Sequence, residues 1–268
     1  MTNFLTIVVP IGESDGNLSE LKSWIPVALN HGCNIILVHD YLSEKLRNEF
    51  TKSLNQFSGA EKIVNIYGTF GSPGGARNAG IEAIESRWVA FWDSDDEPYV
   101  DNFLAMLRDA EDGGFEVACG GFIQANRNNP EFSVFLNSPR NLNSVLSYPG
   151  LWRFAFRTEV IDSQKFDLLS MGEDLNFLAR IRLEKRNIFF SPNVVYKYYT
   201  GGRFQLTSSI NAREKLEETI ELLEEIVLFQ PRNSFASKIL LKLFLSIILS
   251  RSGRIGSNDW DTFIVLCR

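Results

Sequence analysis

The chain has 268 residues, 44% of them hydrophobic, enough for one large α/β domain with an appendage or for two small ones. A formal net charge of -6 with no dominant basic run argues against nucleic acid as a partner, because phosphate-rich polymers need a basic surface. The three cysteines, Cys33, Cys119 and Cys267, are scattered without metal-ligand spacing and read as reduced thiols of a cytosolic protein.

The opening "MTNFLTIVVP" lacks the basic start, long apolar stretch and small-residue cleavage site of a secretory signal, and reads as a first strand. No apolar run of about 20 residues suits a membrane-spanning helix. Strand character, short and rich in β-branched or aromatic residues, recurs in Phe4 to Pro10, Asn34 to Asp40, Lys62 to Gly68 and Arg87 to Asp93. Helix-length stretches at 17–30, 43–57 and 74–86 separate them. The first hundred residues therefore predict a β-α-β-α-β-α-β run with a parallel sheet covered on both faces. Such sheets bind ligands beyond the carboxyl ends of their strands, where Asp40 and Asp93 fall. At the third helix Ser72 is placed to cap and Pro73 to take the first helical position, which brings Arg77 near the open strand ends.

After residue 115 the pattern is less regular. A strand-like "FEVACGGFIQAN" is followed by a polar stretch over 126–144, a strand-like "LWRFAFR", a helical "GEDLNFLARIRLEK" and a strand-like "NVVYKYY". These predict α+β material added to the sheet edge. An acidic helix from Arg213 to Leu228 then precedes a basic segment over 232–254.

The most telling stretch is "AFWDSDDEP" (90–98), in which Asp93, Asp95, Asp96 and Glu97 crowd four carboxylates after a buried strand. One reading is a solvated turn that caps the following helix, Tyr99 to Ala110. The other is a hard-oxygen site at the sheet mouth, where Asp93 and Asp95 suit Mg²⁺ or Mn²⁺ and the ion supplies the missing positive charge. Because Mg²⁺ takes few protein carboxylates and completes its shell with water and phosphate, a nucleotide diphosphate is implied.

The stretch "GGARNAGIEAIESRWVAFWDSDDEP" resembles family 2 glycosyltransferases in the order and separation of an "ARNxG" helix start and a "DxDD" motif. The resemblance is specific over 74–98 and looser over 1–206. It implies an α/β, GT-A (Rossmann-like) fold whose mixed, mainly parallel central sheet is flanked by helices, a nucleotide-sugar-binding and catalytic domain over 1–206, and a C-terminal helical extension over 207–268. By the same resemblance, Asp93 and Ser94 contact the nucleotide, Asp95 with Asp93 holds Mn²⁺ or Mg²⁺ against the two phosphates, and Asp96 supports them. Asp40 reads the base, followed here by Tyr41-Leu42 instead of the usual small-residue turn. Arg77 lies beside the nucleotide, with an ordinary surface ion pair as its alternative, and Pro10, Ile11 and Gly12 line the base pocket.

In "SMGEDLNFLARI" the resemblance makes Asp174 the general base that removes the acceptor's proton and lets Glu173 orient the acceptor. The alternative is that both acids only cap the helix. Trp152 offers either a stacking face for an acceptor sugar or an ordinary core aromatic. The loop "YYTGGRFQLTSS" resembles the segment that closes over the donor, with Arg203 for the diphosphate, and neither His31 nor His39 supplies the family's loop histidine. The implied reaction is an inverting transfer from a nucleotide sugar, with UDP the favoured nucleotide, to a hydroxyl of a glycan or lipid-linked acceptor in polysaccharide biosynthesis. A non-catalytic scaffold subunit is the alternative. A sugar nucleotidyltransferase is disfavoured, since "PIGESDGN" has no basic residue.

Finally, "ASKILLKLFLSIILSRSGR" spaces Lys238, Lys242, Ser246 and Ser250 at four-residue intervals along an otherwise apolar helix. Over 234–251 this helix can pack on the domain, pair with a second copy, or lie on a membrane with its basic residues toward anionic lipid, making a cytoplasmic protein peripheral to the inner face. The ending "FIVLCR" reads as a trimmed chain.

Overall fold

The computed structural model describes residues 4–12, 18–41, 43–128, 135–201, 212–232 and 234–251. The alternating first half is as expected. Strands β1 (Leu5–Ile11), β2 (Asn34–Asp40), β3 (Ile63–Gly68) and β4 (Trp88–Phe91) run parallel in the order β3-β2-β1-β4, with Ile7 opposite Ile35 and Ile7 opposite Ala90. β1 and β4 lie in the middle of the sheet and are apolar on both faces, which accounts for their unbroken hydrophobic runs.

Helices α1 (Leu18–Asn30), α2 (Glu44–Leu54) and α3 (Pro73–Ile81) connect these strands, and α4 (Val100–Asp112) follows the two-residue strand β5 (Glu97–Pro98). Side chains alternate along β1, so that Ile7 and Val9 join one core with Trp24 of α1 and Phe103 of α4, while Val8 joins a second core on the other face.

The second half extends the same sheet. β6 (Val117–Asn126) is parallel to β9 (Ile188–Thr200), while β8 (Phe154–Arg157) inserts antiparallel between β4 and β6. The short β7 (Phe135–Asn137) pairs with the far half of β6, and β5 pairs antiparallel with β9. The result is the mixed, mainly parallel sheet that the resemblance implies. The strand expected over "LWRFAFR" begins later than its composition suggests: Leu151–Arg153 form a 3-10 turn before the strand starts at Phe154.

Short helices α5 (Leu142–Val145) and α6 (Thr158–Ile161) flank β8, and α7 (Glu173–Ile181) packs under the second core with α8 (Ala212–Leu228) and α9 (Phe235–Arg251). From α9, Phe235, Ala236, Ile239 and Leu243 enter that core. Both of its lysines reach back to the body of the protein, Lys238 from an exposed position and Lys242 from a half-buried one. Lys238 Nζ donates to Asn143 Oδ1 at 2.9 Å and Lys242 Nζ to the Leu146 carbonyl at 2.9 Å, and Leu241, Phe244 and Leu245 are exposed on the same helix. Among the described residues no helix is long and apolar enough to cross a membrane. Cys33 and Cys119 are buried free thiols, pushed by burial up to about 11, and Cys267 lies outside the described residues.

Candidate active site

A cleft of about 570 Å³ opens beyond the carboxyl ends of β1, β2 and β4. Pro10, Ile11 and Gly12 at the end of β1, Asp40 and Tyr41 at the end of β2, Arg77, the Asp93-Ser94-Asp95 turn, Trp152 and the Glu173-Asp174 pair all line it. Arg203 lies outside the described residues. Asp40 Oδ1 accepts the Phe70 backbone N–H at 2.6 Å, joining the end of β2 to the loop before α3. Tyr41 takes a left-handed φ of 57° and is 52% exposed at the cleft rim, a conformation in which a bulky residue is strained.

The glycine-rich start of α3 brings its polar residues to the strand ends. Ser72 Oγ accepts the Gly75 N–H at 3.1 Å with Pro73 at the first helical position, as the sequence predicts. At residue 80 a Cβ would stand 2.4 Å from Val8 Cγ1, so the helix lies flush on β1 only because Gly80 has no side chain. Arg77 is thereby carried into the interior at 5% exposure, where Nη2 donates to Asp93 Oδ1 at 2.7 Å and Nη1 to Glu173 Oε1 at 2.6 Å. It is a buried bridge between the β4 turn and α7, not a surface ion pair. Burial alone would discourage its charge, but Asp93, Glu173 and Asp174 more than offset this and hold its pKa above the ordinary value. The neighbouring Asn78 clamps the segment before α7: its Nδ2 donates to the Phe166 carbonyl at 2.9 Å and its Oδ1 accepts the Phe166 N–H at 2.8 Å.

The four crowded carboxylates are accommodated in different ways. Asp93 is paired with Arg77. Asp96 is 1% exposed and accepts the Tyr199 N–H at 2.8 Å, and burial, reinforced by the charges of Asp95 and Asp93, pushes its pKa well above the carboxylate range and favours its neutral form. Glu97 points away from the cleft to Lys197 Nζ at 3.0 Å and to the Tyr199 hydroxyl at 2.7 Å. Asp95 is half-buried on the cleft wall, with its carbonyl accepting from Arg127. A protein cation, Arg77, thus supplies part of the positive charge that the sequence assigns to a metal. Among the described residues no group of three or more His, Cys, Asp or Glu side chains forms a self-sufficient metal cage.

At the start of α7 the two acids separate in role. Glu173 is buried against Arg77, while Asp174 Oδ1 accepts the Leu175 N–H at 2.8 Å and faces the cleft half-buried. Burial first, and then the Glu173 carboxylate, raise the Asp174 pKa. Arg77 and the Leu175 N–H oppose them, and the net effect is a carboxyl pushed up to about 7.

Gly172 holds this turn in a left-handed conformation (φ 81°), and a Cβ there would stand 2.4 Å from Thr219 Cγ2, a side chain of α8 whose Oγ1 donates to the Met171 carbonyl at 2.7 Å. Gly172→Ala is expected to destabilise the chain by ~2–5 kcal/mol, adding left-handed strain to overpacking. Urea unfolding checks it, and an unchanged midpoint would contradict the tight seat of the Gly172 turn against α8.

The far wall is aromatic. Trp152 is 8% exposed and serves as both core and wall: its ring stacks on Tyr196 (centroids 4.6 Å apart) and Tyr198 (5.5 Å), meets Phe122 edge-on, and still borders the cleft. Arg153 braces this wall from behind. It is fully buried, with Nε donating to the Gly120 carbonyl at 2.8 Å, Nη1 to the Tyr148 carbonyl at 3.2 Å and Nη2 to Asn137 Oδ1 at 2.9 Å. Thr219, Arg153, Tyr148, Gln124 and Tyr198 do not stand out in the sequence. Only the alternation of Phe122 with Gln124 and of Tyr196 with Tyr198 along two strands signals a shared face.

The profile of glycosyl transferase family 2 matches residues 28–174, more than half of the chain, including Arg77, the Asp93-Asp95 turn and the Glu173-Asp174 pair. The chain belongs to glycosyl transferase family 2. The succinoglycan biosynthesis protein ExoO of Rhizobium meliloti (strain 1021) is 48% identical over 145 residues, which cover 47% of this chain and 42% of that protein. The chain therefore spans less than half the length of this curated relative. Among solved structures, S. aureus TarS 1-349 in complex with UDP-GlcNAc superposes with a TM-score of 0.70 at 17% identity, covering 92% of this chain and 73% of the other. The mannosyltransferase PcManGT of Pyrobaculum calidifontis, in complex with GDP-Man and Mn²⁺, gives 0.65 at 12% identity over 100% of this chain and 74% of the other. At such identities the likeness concerns the fold.

Proposed function

We propose that the chain transfers a sugar from a nucleotide-sugar donor, UDP-linked, to a hydroxyl of a glycan or lipid-linked acceptor in polysaccharide biosynthesis. The observation that carries this reading is the convergence in one cleft of the Asp93-Asp95 turn, the Arg77 bridge and a carboxyl at Asp174 tuned near neutrality. UDP-GlcNAc in TarS, and GDP-Man with Mn²⁺ in PcManGT, support a nucleotide-sugar donor and a divalent ion. The name of ExoO supports the pathway class.

The donor set fits such an ion. Asp93 and Asp95 present hard carboxylate oxygens on the cleft wall, and with no third protein ligand among the described residues the ion would need phosphate and water oxygens to complete its shell, which suits Mn²⁺ or Mg²⁺. When bound, the ion would stabilise negative charge on the departing diphosphate. Pro10, Ile11, Gly12, Asp40 and Ser94 border the nucleotide end, and Arg203 is the diphosphate cation named by the sequence.

Asp174 accepts the acceptor hydroxyl's proton as that oxygen attacks the anomeric carbon, the bond from that carbon to the diphosphate oxygen breaks, and the nucleoside diphosphate leaves with the bonding pair. This single displacement inverts the anomeric centre. Arg77 acts as a positioning residue that fixes Glu173, and through it the turn carrying Asp174, against the donor acids. Glu173 and Trp152 border the acceptor side. Incubation with UDP-hexoses and Mn²⁺ is expected to release UDP, and with an acceptor to give a product of inverted configuration by NMR. Retention would overturn the displacement.

A further inference from the structure

A second cavity, of about 920 Å³, lies on the opposite face of the two strands that wall the cleft. β6 and β9 are in register over this stretch, so Phe122 with Tyr196 and Gln124 with Tyr198 take one face, while Ile123 with Lys197 and Ala125 with Tyr199 take the other. Phe122, Gln124 and Tyr198 of the first set meet the catalytic cleft and the second set lines the new cavity, which Glu20 and Ser23 of α1, Glu97, Tyr99 and Arg127 also border. The volume sits high in the range of about 300–1,000 Å³ typical of small-molecule sites.

The polar groups of the cavity are paired. Arg127 Nη1 meets Glu20 Oε1 at 2.9 Å, and Lys197 Nζ meets Glu97 Oε2 at 3.0 Å, with the Tyr199 hydroxyl donating to the same oxygen. Each cation therefore has its own anion beside it, which disfavours a phosphate or nucleotide, and an apolar ligand would strip water from four charges without replacing its hydrogen bonds. A polyhydroxylated neutral ligand meets both conditions: its hydroxyls can donate to the carboxylates and accept from the guanidinium and ammonium, while the apolar face of a ring can lie against Tyr99. Arg127 also donates to the Asp95 carbonyl, so the cavity abuts the turn that carries the donor acids.

We propose that this cavity is a second carbohydrate site that takes a neutral oligosaccharide segment of the glycan on which the protein acts; its ligand class rests on the transferase reading of the cleft. The test is saturation-transfer NMR on the full chain with cellohexaose, laminarihexaose and maltohexaose, with inorganic phosphate as the anionic control, repeated with UDP and Mn²⁺ added. At least one hexaose is expected to bind whether or not UDP is present, and its binding is expected to weaken at least tenfold in Ser23→Trp, which fills the cavity from α1, and in Lys197→Met, which removes one cation from its wall. Circular dichroism confirms that each variant folds. Absence of binding by all three sugars, equal binding in both variants, displacement by UDP, or phosphate binding that either variant abolishes would overturn the site. Separate UDP titration distinguishes the two readings: UDP bound without saccharide sinks this site alone, whereas saccharide bound without UDP sinks the donor reading and keeps a carbohydrate site.

Discussion

Asp174→Asn is expected to lower kcat by about 10²–10⁴-fold, the usual worth of a general base, while leaving UDP affinity close to that of the wild type. The wild-type pH profile gives the sign. A base that ionises near 7 in the folded protein is mostly protonated below that pH, so kcat rises as pH increases through about 7 and then levels. The same shift makes a stability prediction of the opposite sense. The folded state holds this proton more tightly than the unfolded chain, whose Asp ionises near 3.9, so the stabilisation linked to proton binding is full below that value and fades as pH rises through about 7. Asparagine removes the burial penalty on the anion, and Asp174→Asn is expected to melt at or above the wild-type temperature at pH 8. A variant with wild-type turnover, or a flat wild-type profile between pH 5 and 9, would remove Asp174 from the role of base.

The largest stability effect is expected at Arg77. Arg77→Met leaves the buried Glu173 and the half-buried Asp93 without their shared cation, and breaking a buried pair from one side costs about 3–5 kcal/mol. Arg77→Lys restores the charge but not the fork that reaches two carboxylates on different elements, and is expected to recover only part of the loss. Adding Glu173→Gln to Arg77→Met removes one of the stranded anions, so the double variant is expected to be more stable than Arg77→Met alone. Urea unfolding of these variants and of Glu173→Gln alone measures this, and a double variant that loses the sum of the Arg77→Met and Glu173→Gln effects would show that Arg77 and Glu173 do not act as a unit.

Much of the fold is legible in the sequence because the first four strands and their helices carry strong local patterns: unbroken apolar runs in buried strands, and a Ser-Pro start with a flush glycine face in α3. The helix over "GEDLNFLARI" and the Asp93, Asp95, Asp174 set are legible too, since each stands at an element end. The Arg77–Glu173 contact spans 96 residues, and no local rule predicts which acid an arginine will meet at that separation. The same holds for Thr219, which reaches the Gly172 turn from a helix the sequence marks only as acidic, and for Arg153, whose acceptors are two carbonyls and an amide without a pattern of their own. The partners of Lys238 and Lys242 are hidden from the sequence for a related reason. Their spacing describes one stripe of α9, and only packing decides that Asn143 and the Leu146 carbonyl lie against it.

If the acids after β4 hold a divalent ion against a donor diphosphate beside Asp174, UDP affinity depends on the ion and on Asp95. Calorimetric titration of UDP tests it most directly, run with Mn²⁺, with EDTA, and with the Asp95→Asn and Asp174→Asn variants. UDP is expected to bind the wild type and Asp174→Asn comparably in Mn²⁺, and at least tenfold more weakly in EDTA or in Asp95→Asn. Equal affinity with and without the ion, undiminished by loss of Asp95, would remove the ion from the donor site.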